Sequence, residues 1–253
     1  MKPRAVGVIP ARWGSTRFPG KSLALVAGRP LLAWVVDRAR QARRLEAVLV
    51  ATDDERIAAA ARGFGVEAVM TSPAHPSGTD RIAEAVRPLP AEIVVNIQGD
   101  EPLIDPGLID RVAAALEGPA DWDMATAASP IRTAEDLRNP DVVKVVRARD
   151  GRALYFSRAV IPHVRGAAAD APPVAGSHLR HVGIYGYRRA FLERLVQEPP
   201  CALEELEKLE QLRALGLGCR MAVLDCAAPG LGVDSPADVP RAEALLRAAG
   251  LAP

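Results

Sequence analysis

The chain has 253 residues, of which 49% are hydrophobic and 25% charged, and its net charge at pH 7 is +1. This is the composition of an ordinary globular protein with enough apolar material for a substantial core. The balanced charge excludes a protein whose overall field attracts nucleic acid or a membrane surface, and no apolar run approaches a membrane span.

The cysteines and the first residues bear on the compartment. Cys201, Cys219 and Cys226 form no C-x-x-C pair, so the spacing predicts neither a disulfide framework nor a zinc site. We expect free thiols in a reducing cytoplasm. We also expect no signal peptide, because residues 1–10 lead directly into a strand.

The first predicted strand covers residues 6–9 and ends at Pro10, where a basic, glycine-rich loop begins. The loop contains Arg12, Gly14, Ser15, Thr16, Arg17, Gly20 and Lys21. Glycine lets backbone N–H groups approach an anion closely, and the cations neutralise it. Because ligands of α/β sheets bind at the carboxyl ends of strands, the loop is a candidate triphosphate site. A solvated basic loop without a ligand is the alternative.

The loop does not match a known nucleotide-binding pattern. Five residues separate Gly14 from Gly20, where a P-loop has four, and Pro19 lacks an N–H that could bind phosphate. The next helix begins late, at Pro30. No G-x-G-x-x-G follows the first strand, which disfavours a nicotinamide-linked oxidoreductase.

Strands and helices then alternate. The pattern predicts helices over residues 30–45, 55–65, 81–89 and 105–118 and strands over 47–52, 66–71 and 93–102. Such alternation indicates a mostly parallel sheet flanked by helices.

The pattern changes near residue 120. It predicts strands over 124–131, 181–189 and 219–226, a hairpin over 142–156 that turns at Asp150-Gly151, a helix over 202–216 and a last helix after Ser235. A hairpin that projects from a parallel sheet is a candidate oligomer contact. We expect one domain over residues 1–253, with a nucleotide-binding half (1–120) and a smaller second half (121–253).

Two acidic residues are candidate metal ligands. Asp100 lies in the segment Gln98-Gly99-Asp100-Glu101-Pro102, at the predicted carboxyl end of a strand. A carboxylate there, opposite a cationic loop, suits Mg²⁺ that bridges phosphate oxygens; the alternative is a turn capped by Asp100. Asp234 precedes Ser-Pro, a pattern more typical of a helix N-terminus.

Other candidates have simple structural alternatives. Residues 77–81 could cap a helix or contact a ligand, Glu210 and Gln211 lie in a glutamate-rich helix that favours a solvated face, and Arg158 suits a surface ion pair. His178 and His181 lack a third ligand with metal-site spacing.

Taken together, the motifs resemble one family. The segments IPARWGSTRFPGK, ATDDERIAAAA, HPSGTDRIAEA, VVNIQGDEP, NPDVVKVV, ALYFSRAVIP, LRHVGIYGYRR, LEELEKLEQLRAL and GVDSPADV occur in the order seen in bacterial 3-deoxy-manno-octulosonate cytidylyltransferases, or CMP-KDO synthetases. The resemblance spans essentially the whole chain. Trp13, where the family often has tyrosine, and the alanine- and proline-rich stretch 164–177 depart from it.

The resemblance implies a nucleotide-diphosphosugar transferase-like α/β fold with an inserted hairpin and dimerisation subdomain. It implies transfer of CMP from CTP to 3-deoxy-D-manno-octulosonate (KDO), with release of pyrophosphate, for lipopolysaccharide biosynthesis. It also implies dependence on Mg²⁺ and a cytoplasmic homodimer, with no nucleic acid partner and no membrane insertion.

The resemblance further implies the site residues. Those expected to be catalytic are Arg12, Lys21, Asp100 and Asp234, of which the two aspartates would hold the metal. The nucleotide would be bound by Arg12, Ser15, Lys21, Ser77, Gly78, Thr79, Arg81 and Gln98. The sugar acid would be bound by Gln98, Arg158, His181, Tyr185, Glu210 and Gln211, its carboxylate by Arg158 or His181.

Two alternatives to this reading remain. One is a cytidylyltransferase for another 2-keto sugar acid, such as sialate or an 8-amino analogue of KDO. The other is a nucleotide-binding regulatory module that has lost catalysis, although such a homologue would be expected to lose some of the aspartates, Lys21 or the sugar-side residues.

Overall fold

The computed structural model describes residues 4–14, 17–168, 171–228 and 230–252. The strands are β1 (Ala5–Ala11), β2 (Leu25–Val26), β3 (Arg29–Pro30), β4 (Ala47–Thr52), β5 (Glu67–Met70), β6 (Ile93–Asn96), β7 (Met124–Pro130), β8 (Lys144–Arg147), β9 (Ala153–Ser157), β10 (Leu179–Arg188) and β11 (Met221–Asp225). The helices are α1 (Leu31–Ala39), α2 (Glu55–Gly63), α3 (Gly78–Val86), α4 (Pro106–Glu117), α5 (Ala134–Arg138), α6 (Arg189–Leu195), α7 (Ala202–Glu207), α8 (Gln211–Gly216) and α9 (Val239–Ala248).

Within the described residues, nine strands form one mixed sheet. Its order is β11, β7, β10, β6, β1, β4, β5, and β8 and β9 attach beside β10. β6, β1, β4 and β5 run parallel, whereas β10 is antiparallel to both β6 and β7. The predicted mostly parallel sheet is therefore confirmed, with β10 as the antiparallel strand that joins its two halves.

Alternate residues of the strands supply two cores on opposite faces of the sheet. In β1, Ala5 and Ile9 pack in one core with residues of α1, α2 and α4, while Val6 and Val8 pack in the other with residues of α3 and α6. Gly186 of β10 allows α4 to approach closely, since a Cβ there would lie 2.7 Å from a methyl carbon of Val112.

Pro10 lies inside β1 and does not end the strand as predicted. The Ile97 N–H donates to the Val8 carbonyl, so the backbone N–H and C=O groups of the even-numbered residues of β1 point toward β6. Pairing of β1 with β6 stops at Val8, and the missing N–H of Pro10 thus removes no ladder hydrogen bond. The chain after β6 turns over this point, where a Cβ on Gly99 would lie 3.0 Å from the Pro10 carbonyl oxygen.

The helix predicted over 202–216 is broken, which is the main error in the sequence-based elements. α7 ends at Glu207, Lys208 adopts a left-handed conformation (φ 52°), and α8 begins at Gln211. After the break Gln211 is buried and Glu210 half-buried, whereas α7 has no buried residue. The short helices α5 and α6 were also not predicted.

The predicted hairpin is present as β8 and β9, with Gly151 in its turn at φ 87°. It is part of the main sheet, because β8 pairs with Leu179 and Arg180 of β10. That it forms an inserted dimerisation subdomain, and that the domain divides near residue 120, stay predictions. In the part of the chain described above, no helix has the length and apolar character needed to cross a membrane.

Candidate active site

Three neighbouring cavities open at the carboxyl ends of β1 and β6. The first, of about 310 Å³, is lined by residues that include Arg12, Arg17, Lys21, Ser77, Gly78, Arg81, Gln98, Asp100 and Asp234. The second, of about 160 Å³, is lined by residues that include Gly78, Thr79, Asn96, Gln98, Tyr185, Tyr187, Glu210 and Gln211. The third, of about 380 Å³, is lined by residues that include Gln98, Asp100, Glu101, Asp141, Arg180, His181, Tyr185, Gln211 and Asp234. Gln98 lines all three, so they form one continuous cleft.

Lys21 connects the two aspartates that the sequence proposed as metal ligands. Its Nζ lies 2.6 Å from Asp100 Oδ2 and 3.2 Å from Asp234 Oδ1. Arg17 also donates to Asp234 Oδ1, at 3.1 Å. The fold thus places two carboxylates from distant parts of the sequence around one cation.

Backbone contacts explain why these side chains meet. Gly20, at φ 67°, donates its N–H to the Trp13 carbonyl and precedes the 3₁₀ turn that carries Lys21. The Val233 N–H donates to the Asp100 carbonyl at 2.9 Å, which ties the loop of Asp234 to the loop after β6.

Asp234 itself is not the cap of the following helical segment. Ser235 forms a capping box with Asp238, whose Oδ2 accepts from the backbone N–H of both Asp234 and Ser235. The carboxylate of Asp234 is therefore available to the cleft.

The Asp100–Asp234 pair has the donor chemistry of a magnesium site. Mg²⁺ is usually held by one or two carboxylates together with substrate phosphates and water. Among the described residues, no group of three or more His, Cys, Asp or Glu could hold a metal. Two carboxylates fit an ion that takes its remaining ligands from a bound triphosphate.

The N-terminus of α3 lines the first two cavities. Ser77 Oγ accepts from the N–H groups of Thr79 (3.1 Å) and Asp80 (3.3 Å), so its capping role is confirmed, while its ligand role stays a prediction. The buried Arg81 donates to Thr71 Oγ1 and to Asp53 Oδ2, which fixes the start of the helix. A helix N-terminus of this kind favours an anionic ligand.

The turn between α7 and α8 delivers two polar side chains to the second cavity. Gln211 is buried and Glu210 is half-buried, and both face the cavity across from Tyr185. Neither lies on a solvated helix face, which was the simpler expectation. Burial and the neighbouring Tyr187 raise the pKa of the Tyr185 hydroxyl well above its usual value, so it stays protonated and can donate a hydrogen bond.

A family model described as cytidylyltransferase matches residues 6–221. A relative from Anaeromyxobacter sp. (strain Fw109-5), named 3-deoxy-manno-octulosonate cytidylyltransferase, is 53% identical over 97% of this chain and 98% of its own length. This chain belongs to the 3-deoxy-manno-octulosonate cytidylyltransferase family. A second relative with that name, from Geobacter sulfurreducens, is 51% identical and covers 92% of this chain and 95% of its own.

Solved structures agree with the membership in this family. One, described as CMP:2-keto-3-deoxy-manno-octonic acid synthetase complexed with CTP, has a TM-score of 0.90 and 41% identity and covers 97% of this chain and 99% of its own. The 4-diphosphocytidyl-2C-methyl-D-erythritol synthase of Anaerococcus prevotii, at 14% identity and a TM-score of 0.64, shares the fold alone. The resemblance drawn from the sequence motifs is thus confirmed.

Of the residues predicted for this family's site, Arg158 lies beside the third cavity, with its Nη1 3.9 Å from Asp141 Oδ1, and its contact with the sugar acid stays a prediction. Its Nε donates to the Glu207 carbonyl (2.7 Å) and its Nη1 to the Pro140 carbonyl (2.9 Å). Arg158 is not among the described residues that line the three cavities. The end of β9 packs against the end of α7, where Glu207 accepts from Ser157 Oγ and from the Arg158 N–H. Ser15 lies outside the described residues, and Arg12 is exposed at the rim of the first cavity.

His181 lines the third cavity and is neutral at pH 7. Its ring lies 5.0 Å from the ring of Phe156 and 5.4 Å from that of Tyr185, and Thr126 Oγ1 lies 2.9 Å from Nε2. Burial lowers the pKa of His181 to about 3. A neutral ring can offer a sugar carboxylate a hydrogen bond, and the role of His181 as a carboxylate partner stays a prediction.

The sequence analysis assigned no individual role to Glu101 or Arg180, which both line the third cavity. Among the described residues, Glu101 Oε2 is buried without a hydrogen-bond partner, and a Cβ on Gly230 would lie 2.5 Å from it. Burial and the neighbouring Asp100 raise the pKa of Glu101 to about 7. Both residues stand next to predicted ones, Asp100 and His181, and that adjacency was the available signal.

Proposed function

We propose that this chain transfers CMP from CTP to the anomeric hydroxyl of KDO and releases pyrophosphate. The anomeric oxygen forms a bond to the α-phosphorus of CTP as the bond to pyrophosphate breaks, and the hydroxyl proton passes to water. The observation that supports this most directly is the meeting of Lys21, Asp100 and Asp234 in the cleft of a family member.

The first cavity is the proposed CTP site. Its rim carries the cations Arg12, Arg17 and Lys21, and the N-terminus of α3 adds its own positive end. Phosphoryl transfer needs little covalent work from a protein, because positioning and charge neutralisation account for most of the catalysis. Arg12 and Lys21 stabilise the charge that develops on the departing pyrophosphate.

Asp100 and Asp234 are the residues that would hold Mg²⁺. When bound there, the ion supplies charge neutralisation at the phosphate and lowers the pKa of the attacking hydroxyl. The two aspartates orient both reactants, since they line the first and the third cavity at once.

The second and third cavities are the proposed sugar-acid site. Tyr185, Glu210 and Gln211 supply hydrogen-bonding groups for sugar hydroxyls, with Gln98 at the junction with the CTP site. A sugar that lacks a matching hydroxyl leaves one of these buried polar groups unpaired and is rejected.

A pyrophosphate-release assay tests the proposal. CTP is supplied with and without KDO and Mg²⁺, and release should need all three. Asp100→Asn should lower turnover by about a hundredfold or more, as expected when a group that stabilises charge in the transition state is lost. Asp37→Asn, at an exposed ion pair with Arg29, is the control and should keep turnover within about twofold.

A panel of sugar acids separates KDO from its analogues. Release with sialate or 8-amino-KDO that exceeds release with KDO would reassign the substrate. CTP binding with no release for any sugar acid would favour the regulatory module. The reaction is proposed to serve lipopolysaccharide biosynthesis in the cytoplasm, with the chain acting as a homodimer.

A further inference from the structure

The third cavity poses an electrostatic problem for an anionic substrate. Carboxylates of Asp100, Glu101, Asp141 and Asp234 all line it. Lys21 pairs with Asp100 and Asp234, but a sugar acid would bring a further carboxylate close to Glu101 and Asp141, where like charges repel. The cavity must therefore supply positive charge at the position of the substrate carboxylate.

Arg180 is the one cation among the described residues that line this cavity, since His181 is neutral. Two strands fix its backbone: Arg180 lies opposite Ser129 of β7 on one side and Lys144 of β8 on the other. The backbone of Arg180 is therefore fixed before the substrate arrives, and only its side chain has to be ordered on binding.

The guanidinium of Arg180 is also available to a ligand. Within the described residues it forms no hydrogen bond and no ion pair within 4.0 Å, although its charge acts on Glu101. Glu101 Oε2 likewise has no hydrogen-bond partner there. Arg180 thus contributes positive charge without being neutralised by a salt bridge, in contrast to Arg158, which two backbone carbonyls occupy.

We infer that Arg180 receives the carboxylate of the sugar acid and makes the site specific for an acid over a neutral sugar. Arg suits this task because its planar guanidinium matches a carboxylate in a bidentate pair. The inference rests on the proposed function, and it names the residue that recognises the acid group of that substrate.

The test compares KDO with its 1-carboxamide, which keeps the sugar but removes the charge. In the wild type, kcat/KM for KDO should exceed that for the amide. Arg180→Met should raise the KM for KDO by roughly 10- to 100-fold, the usual range for losing a hydrogen bond to a charged group. It should also abolish the preference for the acid, with the KM for CTP within about twofold.

Arg158→Met is the matched comparison, and it should retain the preference for the acid. Arg180→Lys should restore part of that preference, which a merely structural role would not produce. Arg180→Gln replaces Arg180→Met in the test if the methionine variant does not fold. An unchanged KM for CTP then shows that the CTP site is intact.

The other possible results of these assays separate failure of the inference about Arg180 from failure of the proposed function. An Arg180→Met enzyme that still prefers the acid overturns the inference, and loss of the preference in Arg158→Met assigns the carboxylate to Arg158. A wild-type enzyme that releases no pyrophosphate with KDO overturns the proposed function, and the preference of any other acid substrate over its amide then tests Arg180 separately.

Discussion

The Lys21 ammonium group donates to the carboxylate of Asp100, with 2.6 Å between Nζ and Oδ2, and also reaches Asp234. These are the carboxylates proposed to hold Mg²⁺. A cation already between them opposes the entry of a second one, since each carboxylate would gain less from it. When no nucleotide is bound, Lys21 would contact the two aspartates that are proposed to hold the metal. When CTP is bound, Lys21 would contact its phosphate oxygens instead.

The first prediction is that Lys21→Met tightens divalent-cation binding when no CTP is present. Removing the competing charge should lower the Kd for Mn²⁺ by roughly tenfold or more, consistent with a screened charge pair of 1–2 kcal/mol near the surface. Calorimetric titration with Mn²⁺ measures this without any reaction.

Lys21→Arg keeps the charge and should leave Mn²⁺ binding as weak as in the wild type. Asp100→Asn in the Lys21→Met background should remove the gain. Equal Mn²⁺ affinity in Lys21→Met and the wild type would contradict competition between the lysine and the metal.

The second prediction concerns the loop that carries Asp234. A Cβ on Gly230 would lie 2.5 Å from Glu101 Oε2, whereas nothing lies within 4 Å of one on Gly232. Gly230→Ala must therefore displace Glu101 or the loop, and overpacking of this kind costs about 1–3 kcal/mol. Its kcat should fall about tenfold or more, since small misplacements of reacting groups are costly.

Gly232→Ala is the matched control, two residues away in the same loop. Its kcat and its free energy of unfolding should stay close to those of the wild type. Similar effects of the two substitutions would mean that loop flexibility, and not the contact with Glu101, is what matters.

The local sequence pattern predicted the first half of the fold well, for reasons visible in particular residues. β4 and the start of α2 at Glu55 lie where expected, because an apolar run and a helix cap such as Asp54 each depend on neighbours in sequence. The break at Lys208 was missed because a left-handed lysine has no sequence signal, and it decides where Glu210 points.

The candidate site could likewise be predicted only in part from local sequence. The loop of Lys21 and the acidic segment of Asp100 are readable locally, but their contact with Asp234 depends on a hydrogen bond between distant loops. Arg158 was expected in the cleft on the resemblance alone. Its side chain donates to the carbonyl groups of Glu207 and Pro140, and no local pattern shows these contacts.

The third prediction is that Lys144 is a major determinant of stability near the sugar side. This lysine is fully buried, and its Nζ donates to the carbonyls of Asn139 (3.0 Å), Val142 (2.7 Å) and Arg158 (2.6 Å). Lys144→Met leaves these carbonyls without that partner, so the free energy of unfolding should fall by about 3 kcal/mol or more.

Urea denaturation measures the change, with Arg62→Met as the control. Arg62 forms an exposed ion pair with Glu55, and losing it should cost no more than about 1 kcal/mol. A Lys144→Met enzyme as stable as the wild type would show that its three hydrogen bonds contribute nothing net.

The fourth prediction follows from the low pKa of His181. Burial among Thr126, Phe156 and Tyr185 lowers that pKa to about 3 in the folded chain, against 6.5 for an exposed histidine. Between these values the unfolded chain binds a proton that the folded chain does not, so stability rises with pH. His181 thus costs stability as the pH falls below about 6.5, at up to about 1.4 kcal/mol per pH unit.

His181→Gln removes this titration while keeping a side chain that can bond to Thr126. The free energy of unfolding, measured by urea denaturation from pH 7.5 to pH 4.5, should therefore fall less steeply with acid in the variant than in the wild type. His163→Gln, on an exposed loop, is the control variant that makes the same substitution and leaves the His181 ring in place. Parallel pH profiles for His181→Gln and the wild type would mean that the His181 ring takes up a proton in the folded chain as readily as in the unfolded one. His181 would then be cationic below about pH 6.5 and would compete with Arg180 for the sugar carboxylate there.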